Sequence, residues 1–162
     1  MGLKPKNTTP EKPSQKMTHD SDAYLKELAV DVLARTLWGE ARGERPEGRI
    51  AVACVILNRL AISNRRGSHW WGNSIIDICQ KPYQFSCWNA DDPNRPKLMA
   101  VDRRNPVFVS CLRVARRAVY LGLDDTTNGA THYHAAGMTP FWVKNERPVA
   151  VIGNHIFYRL ED

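Results

Sequence analysis

The sequence predicts an α+β fold, mainly helical, with a small antiparallel sheet near the C-terminus. Between residues 25 and 37, apolar side chains recur at three- and four-residue steps, the period of an amphipathic helix. After Pro46 an apolar block, Ile50 to Leu57, is hydrophobic nearly all round, as a buried central helix is. Beyond Gly129 the texture turns β-branched and aromatic, and ATHYHA and VAVIGNHIFYRL read as two strands. At 162 residues the chain is one domain's worth. A domain of that size buries about 68–70% of its unfolded surface and needs no disulfide or structural metal.

In chain order, residues 1–20 are Pro, Lys, Thr and Ser with little to bury, and are expected to form a flexible basic tail ahead of a folded domain, 21–162. Ser21 or Asp22 is a candidate cap for the first helix. In that helix Leu25, Leu28, Ala29, Val32, Leu33 and Leu37 form one face, and extending the stripe lands on Glu40. Gly43 is a candidate stop and Pro46 a candidate first residue of a second helix reaching about Ala61. Residues 63–73 read as a loop. Ser74 and Asp77 have the capping-box pattern for a short helix, Ile75–Gln80. Residues 81–106 hold Pro82, Pro93, Pro96 and Pro106 and read as mostly irregular. Val107, Cys111, Val114, Ala118 and Leu121 then mark a further amphipathic helix with Arg113, Arg116 and Arg117 on its other side.

Cys54, Cys79, Cys87 and Cys111 have no CxxC pairing and are expected to be buried free thiols. The longest apolar run, eight residues, is too short to span a membrane. The N-terminus lacks the apolar core of a secretory signal, so the chain is expected to be made and folded in a cytoplasm. The formal charge of +6 suits a polyanionic partner, whether nucleic acid, phospholipid or an acidic cell envelope.

Among residues that could carry chemistry, Glu40 stands out. A carboxyl on the apolar side of a helix end, beside Trp38, loses solvation and faces the negative end of the helix dipole, and both favour the protonated form. A general acid needs that proton; Arg42 and Arg45 would oppose the effect if they pointed inward. Glu44, one turn on, would share the face if the helix persisted, but two carboxylates on adjacent turns approach a bond from one side, and its reading is mainly structural, bonding backbone at the start of the next helix. His132 and His134, two apart in a strand, with His155 on the other strand, allow either a zinc site or imidazoles lining a polar cleft, and the second is expected. Trp38, Trp70, Trp71, Trp88 and Trp142, with Tyr83, Phe85 and Tyr133, place many aromatic rings near loops, where they could stack on sugars or bases.

The stretch GEARGERPEGRIAVACVILNRL, residues 39–60, resembles the opening signature of the SleB-type cell-wall hydrolases, which include spore-cortex-lytic enzymes and related bacterial and phage proteins. SIIDICQKPYQFSCW, residues 74–88, and ATHYHAAGMTPFWVKNERPVAVIGNHIFYRL, residues 130–160, follow in the family's order. The resemblance implies a lysozyme-like fold with the sheet beside the active-site cleft, action on peptidoglycan glycan strands without a cofactor, and Glu40 as catalytic acid. It further implies that Gln84, Phe85, Ser86 and the Tyr133 strand line the glycan cleft; Glu44, His132, His134 and Trp142 complete the expected substrate-binding set. Spore members carry a Tyr-rich run ending in Asn-Pro where this chain has HYHAA, so fine substrate preference does not transfer.

The expected reaction is cleavage of the β-1,4 bond between N-acetylmuramic acid and N-acetylglucosamine, by a lytic transglycosylase rather than a muramidase. A small, basic, signal-less enzyme of this kind resembles a phage endolysin, a monomer held in the host cytoplasm until a holin or other route opens the inner membrane. Two rivals remain. A zinc amidase or peptidase would use His132, His134 and His155; a nucleic-acid-binding module would use the face of Arg113, Arg116 and Arg117 together with exposed Trp side chains.

Overall fold

The computed structural model describes residues 13–160, with side chains from residue 19 onward. Five helices precede a three-stranded sheet: α1 Pro13–Ala41, α2 Pro46–Arg66, α3 Ile75–Gln80, α4 Arg95–Ala100 and α5 Pro106–Leu121, then β1 His132–Ala135, β2 Ala150–Ile152 and β3 His155–Tyr158. Helical turns of the 3-10 type, Ser86–Trp88 and Phe141–Val143, sit in the connections. The expected mainly helical α+β fold is the one observed.

The helix α1 already runs through Ser21 and Asp22, so neither caps it, and the expected tail boundary at residue 20 falls inside a helix; residues 1–12 lie outside the described residues. The stripe buries later than its period suggested: Leu25 and Leu28 are exposed, whereas Val32, Leu33 and Leu37 are core. Helix α2 is buried on most sides, as expected, but continues five residues past Ala61. Its stop is Gly67, whose φ of 76° is left-handed and suits the residue after a helix.

Ser74 caps α3 by accepting from Asp77 N at 3.0 Å. The proline-rich stretch is less irregular than its composition suggested: Pro96 lies in the first turn of α4, whose Leu98 is fully buried. Asn105 caps α5 by accepting from Val107 N and Phe108 N. Arg113 and Arg117 are exposed, but Arg116 forms a two-pronged ion pair with Glu27 of α1, so the arginine face is partly a helix–helix contact.

The C-terminal stretch expected as one strand is a hairpin. The sheet order is β1-β3-β2, antiparallel throughout, with Ile152 opposite His155. The two-residue turn needs a positive φ at its first central position, and Gly153 supplies it at 58°. Phe157, with Ala51 and Val55 of α2 and Ala130, forms a small core that seats the sheet on α2. All four cysteines are buried free thiols, as expected. No helix among the described residues is long and apolar enough to cross a membrane.

Candidate active site

Glu40 occupies the last turn of α1, partly buried, where the stripe through Leu33 and Leu37 leaves the core. Gly39 lets a second element close on this helix end, since a Cβ there would lie 2.7 Å from Cys87 Sγ and 2.8 Å from its Cβ. The 3-10 turn carrying Cys87 therefore rests directly beside Glu40. Burial and the Glu40 charge both push the Cys87 thiol pKa up, so it stays protonated. Arg42 does not point inward: it donates to Asn94 Oδ1 at 2.9 Å and stacks over Trp38, while Arg45 is exposed.

Across the gap, the Tyr133 hydroxyl donates to Glu40 Oε2 at 2.8 Å. Burial and the Glu40 charge hold the Tyr133 phenol pKa well above its usual range, so it remains a donor. Two side chains of α2 hold the start of β1. Asn58 donates to Ala130 O at 2.9 Å and Arg59 to Thr131 O at 2.7 Å. Asp125 folds the turn before the strand, accepting from Thr127 N at 2.8 Å and Gly129 N at 2.6 Å. Asn58 and Arg59 escaped sequence reasoning because the helix pattern gives polar residues no direction; their adjacency in ILNRL, inside an otherwise apolar helix, was the one signal that could have found them.

Glu44 lies beyond the end of α1, so it does not share a helical face with Glu40. Its carboxylate turns to the β2–β3 hairpin rather than to the start of α2: Oε2 accepts from Asn154 N at 3.3 Å, and Oε1 lies 3.9 Å from His155 Nδ1. His155 is buried, which lowers its pKa against the opposing pull of Glu44 and Glu40.

Strand alternation separates the three histidines. Tyr133, His155 and Phe157 share the inner face, with Tyr133 5.0 Å from the His155 ring. His132 and His134 take the outer face, where both pack on Trp142 and His134 stacks on Tyr158 at 5.4 Å. A zinc site built from all three would need one face and does not assemble. Next to His132, Trp70, Phe141, Trp142, Glu146, Arg159 and Leu160 line a cavity of about 590 Å³.

The Gln84–Ser86 segment divides. Gln84 spends its amide N–H groups on Trp71 O and Ile78 O, anchoring the loop. Phe85 is 3% exposed beneath Arg59, so it is a core side chain and lines no cleft here. Ser86 is exposed. The structure thus joins Glu40 to Tyr133, places Glu44 nearby on a different partner, and sets His132, His134 and Trp142 across the sheet.

The family model described as Cell Wall Hydrolase matches residues 43–158, most of the chain, beginning three residues after Glu40. The spore cortex-lytic enzyme of Halalkalibacterium halodurans is 30% identical over 131 residues, covering 79% of this chain and 34% of that protein. That of Bacillus subtilis is 29% identical over 131 residues, covering 79% and 36%. The chain therefore spans about a third of the length of these curated relatives. The crystal structure of the catalytic domain of the Bacillus cereus SleB protein superposes with a TM-score of 0.61 at 24% identity, over 81% of this chain and 89% of that one. The catalytic domain of the germination-specific lytic transglycosylase SleB from Bacillus anthracis gives 0.60 at 24%, over 81% and 93%. These two likenesses confirm the lysozyme-like fold expected from the sequence. With the family model covering the sheet, α2 and the loops that frame Glu40, the chain belongs to the Cell Wall Hydrolase family.

Proposed function

We propose that this protein cleaves the β-1,4 bond between N-acetylmuramic acid and N-acetylglucosamine in peptidoglycan, with Glu40 as general acid. The observation that carries the reading is the hold on Glu40. Tyr133 donates to its Oε2 at 2.8 Å, which fixes the direction of a partly buried carboxyl that can carry a proton to the substrate. Protonated Glu40 delivers that proton to the glycosidic oxygen as the C1–O bond of muramic acid breaks. The carboxylate then takes the proton from the muramic 6-hydroxyl as that oxygen bonds to C1, giving a 1,6-anhydro product and regenerating the acid.

One carboxyl group suffices for this sequence, whereas hydrolysis asks for a second group to position water. Glu44 does not fit that second role, because its side chain is 9% exposed and its carboxylate accepts from Asn154 N and faces His155. The likeness to the Bacillus anthracis domain, a germination-specific lytic transglycosylase, supports the same choice. Ser86 and the outer-face residues His132, His134 and Trp142 are assigned to binding neighbouring parts of the glycan or its branches. Glu40→Gln tests the reading: cleavage falls by at least about 1000-fold while the melting transition stays, and activity near wild type moves the acid elsewhere.

The route to the wall belongs to the same proposal. As in a phage endolysin, the protein waits in the host cytoplasm until the inner membrane is opened, and its +6 charge then favours the anionic envelope. Expression alone should leave cells intact and co-expression with a holin should lyse them; lysis on expression alone contradicts the route.

A further inference from the structure

Glu44 is held more closely than an acceptor at a chain turn requires. A Cβ at Gly48 would lie 2.7 Å from Glu44 Cβ, and one at Gly153 would collide with its carboxylate, so two glycines from separate elements clear the space it fills. The side chains of Glu44 and His155 are each only 9% exposed, too buried for either to serve as a surface contact for a polymer. One carboxylate oxygen takes the Asn154 N–H of the hairpin turn, and the other faces His155 Nδ1, a buried nitrogen with no hydrogen bond among the described residues. The His155 ring stands edge-on to Tyr133, and Tyr133 holds Glu40.

These contacts close a circuit. It leaves α1 at Glu40, follows the chain to Glu44, crosses to Asn154 and His155 at the hairpin, passes through Tyr133 and returns to Glu40. We propose that Glu44 is a positioning residue: it clamps the β2–β3 hairpin to the end of α1 and thereby sets the direction in which Tyr133 aims the Glu40 carboxyl. This rests on Glu40 being the acid. Glu44 touches no reacting atom; it fixes the strand that does the aiming. A shift of the hairpin leaves Tyr133 paired with β3 but misaims its hydroxyl, and misplacement of a catalytic group by about 1 Å can cost about 100-fold in rate.

The test uses the full chain with two readouts: kcat and KM on peptidoglycan, and the ionisation of the Tyr133 phenol followed by ultraviolet absorbance, assigned with Tyr133→Phe. Glu44→Ala is expected to lower kcat about 10- to 100-fold with KM within about twofold, and to let the Tyr133 phenol ionise closer to its ordinary range. Glu44→Gln keeps an oxygen for Asn154 N–H and should recover most of both. If Glu44→Ala does not fold, Glu44→Asp withdraws the carboxylate by one methylene and is read the same way. Wild-type kcat with an unmoved Tyr133 overturns the inference. A raised KM at constant kcat also overturns it and makes Glu44 a substrate-binding residue. If the wild-type protein cleaves no glycan, the proposed function fails, while the Tyr133 titration still decides whether the clamp exists.

Discussion

On the inner face of β1, Tyr133 meets Glu40 at hydrogen-bond distance, with His155 and Phe157 packed against its ring. One residue away in either direction, on the outer face, His132 and His134 meet Trp142 and Tyr158 beside a cavity whose wall includes the 83% exposed Phe141. The inner face sets Tyr133 against Glu40 with two buried rings, His155 and Phe157, behind it, so the Tyr133 hydroxyl is held in a fixed direction before any substrate arrives, the condition under which a proton donor is effective. The outer face carries rings packed on one another, and the exposed Phe141 at its edge is suited to stacking on a ligand rather than to reacting with it. A strand four residues long separates the two sets of side chains through its twofold period.

The comparison can be broken from the inner side first. Tyr133→Phe removes the hydrogen bond to Glu40 while keeping the ring. Turnover should fall about 10- to 100-fold with KM nearly unchanged, and stability by about 1 kcal/mol, checked by steady-state kinetics and denaturant unfolding. Unchanged turnover would mean Glu40 needs no aiming from the strand. Gly39→Ala attacks the same site from behind, because its Cβ would press on Cys87. About 1–3 kcal/mol of stability should be lost, with activity falling alongside.

The outer face gives smaller effects of a different kind. Trp142→Ala should raise KM about three- to tenfold and leave kcat within about twofold; a kcat effect without a KM effect would place chemistry on the wrong face. The smallest expected effect is on pH. The pKa of His155, facing Glu44, Glu40, His134 and Tyr133, lies below the unfolded value because burial outweighs the carboxylates. Its folded form is therefore neutral, and the stability this contributes is present above the ordinary histidine pKa of about 6.5 and lost as pH falls through the lower folded value. The melting temperature should drop on acidification, and less steeply in His155→Gln than in wild type.

Much of the fold was legible because it follows from local chemistry. The α1 stripe, Pro46, the Ser74 cap and the C-terminal strands each announce themselves within a few residues. What sequence reading missed depends on neighbours distant in the chain. The extension of α2 to Gly67 and the burial of α4 required knowing what those residues pack against. The split of the last segment into two strands hung on Gly153 alone, which reads equally as a bulge. At the site, Glu40 was visible as a carboxylate on an apolar stripe. Phe85, which the resemblance implies in the cleft, is instead buried under Arg59, and nothing in its local sequence tells a ring that faces a ligand from one that faces a guanidinium. The partner of Glu44 was also hidden, since 110 residues separate it from Asn154.

The central claim is that one carboxyl group, Glu40, acts first as acid and then as base on the glycan. Mass spectrometry of purified peptidoglycan digested by the wild-type protein tests it most directly. Fragments ending in 1,6-anhydro-N-acetylmuramic acid are the predicted product, whereas reducing muramic ends without anhydro sugars would contradict it.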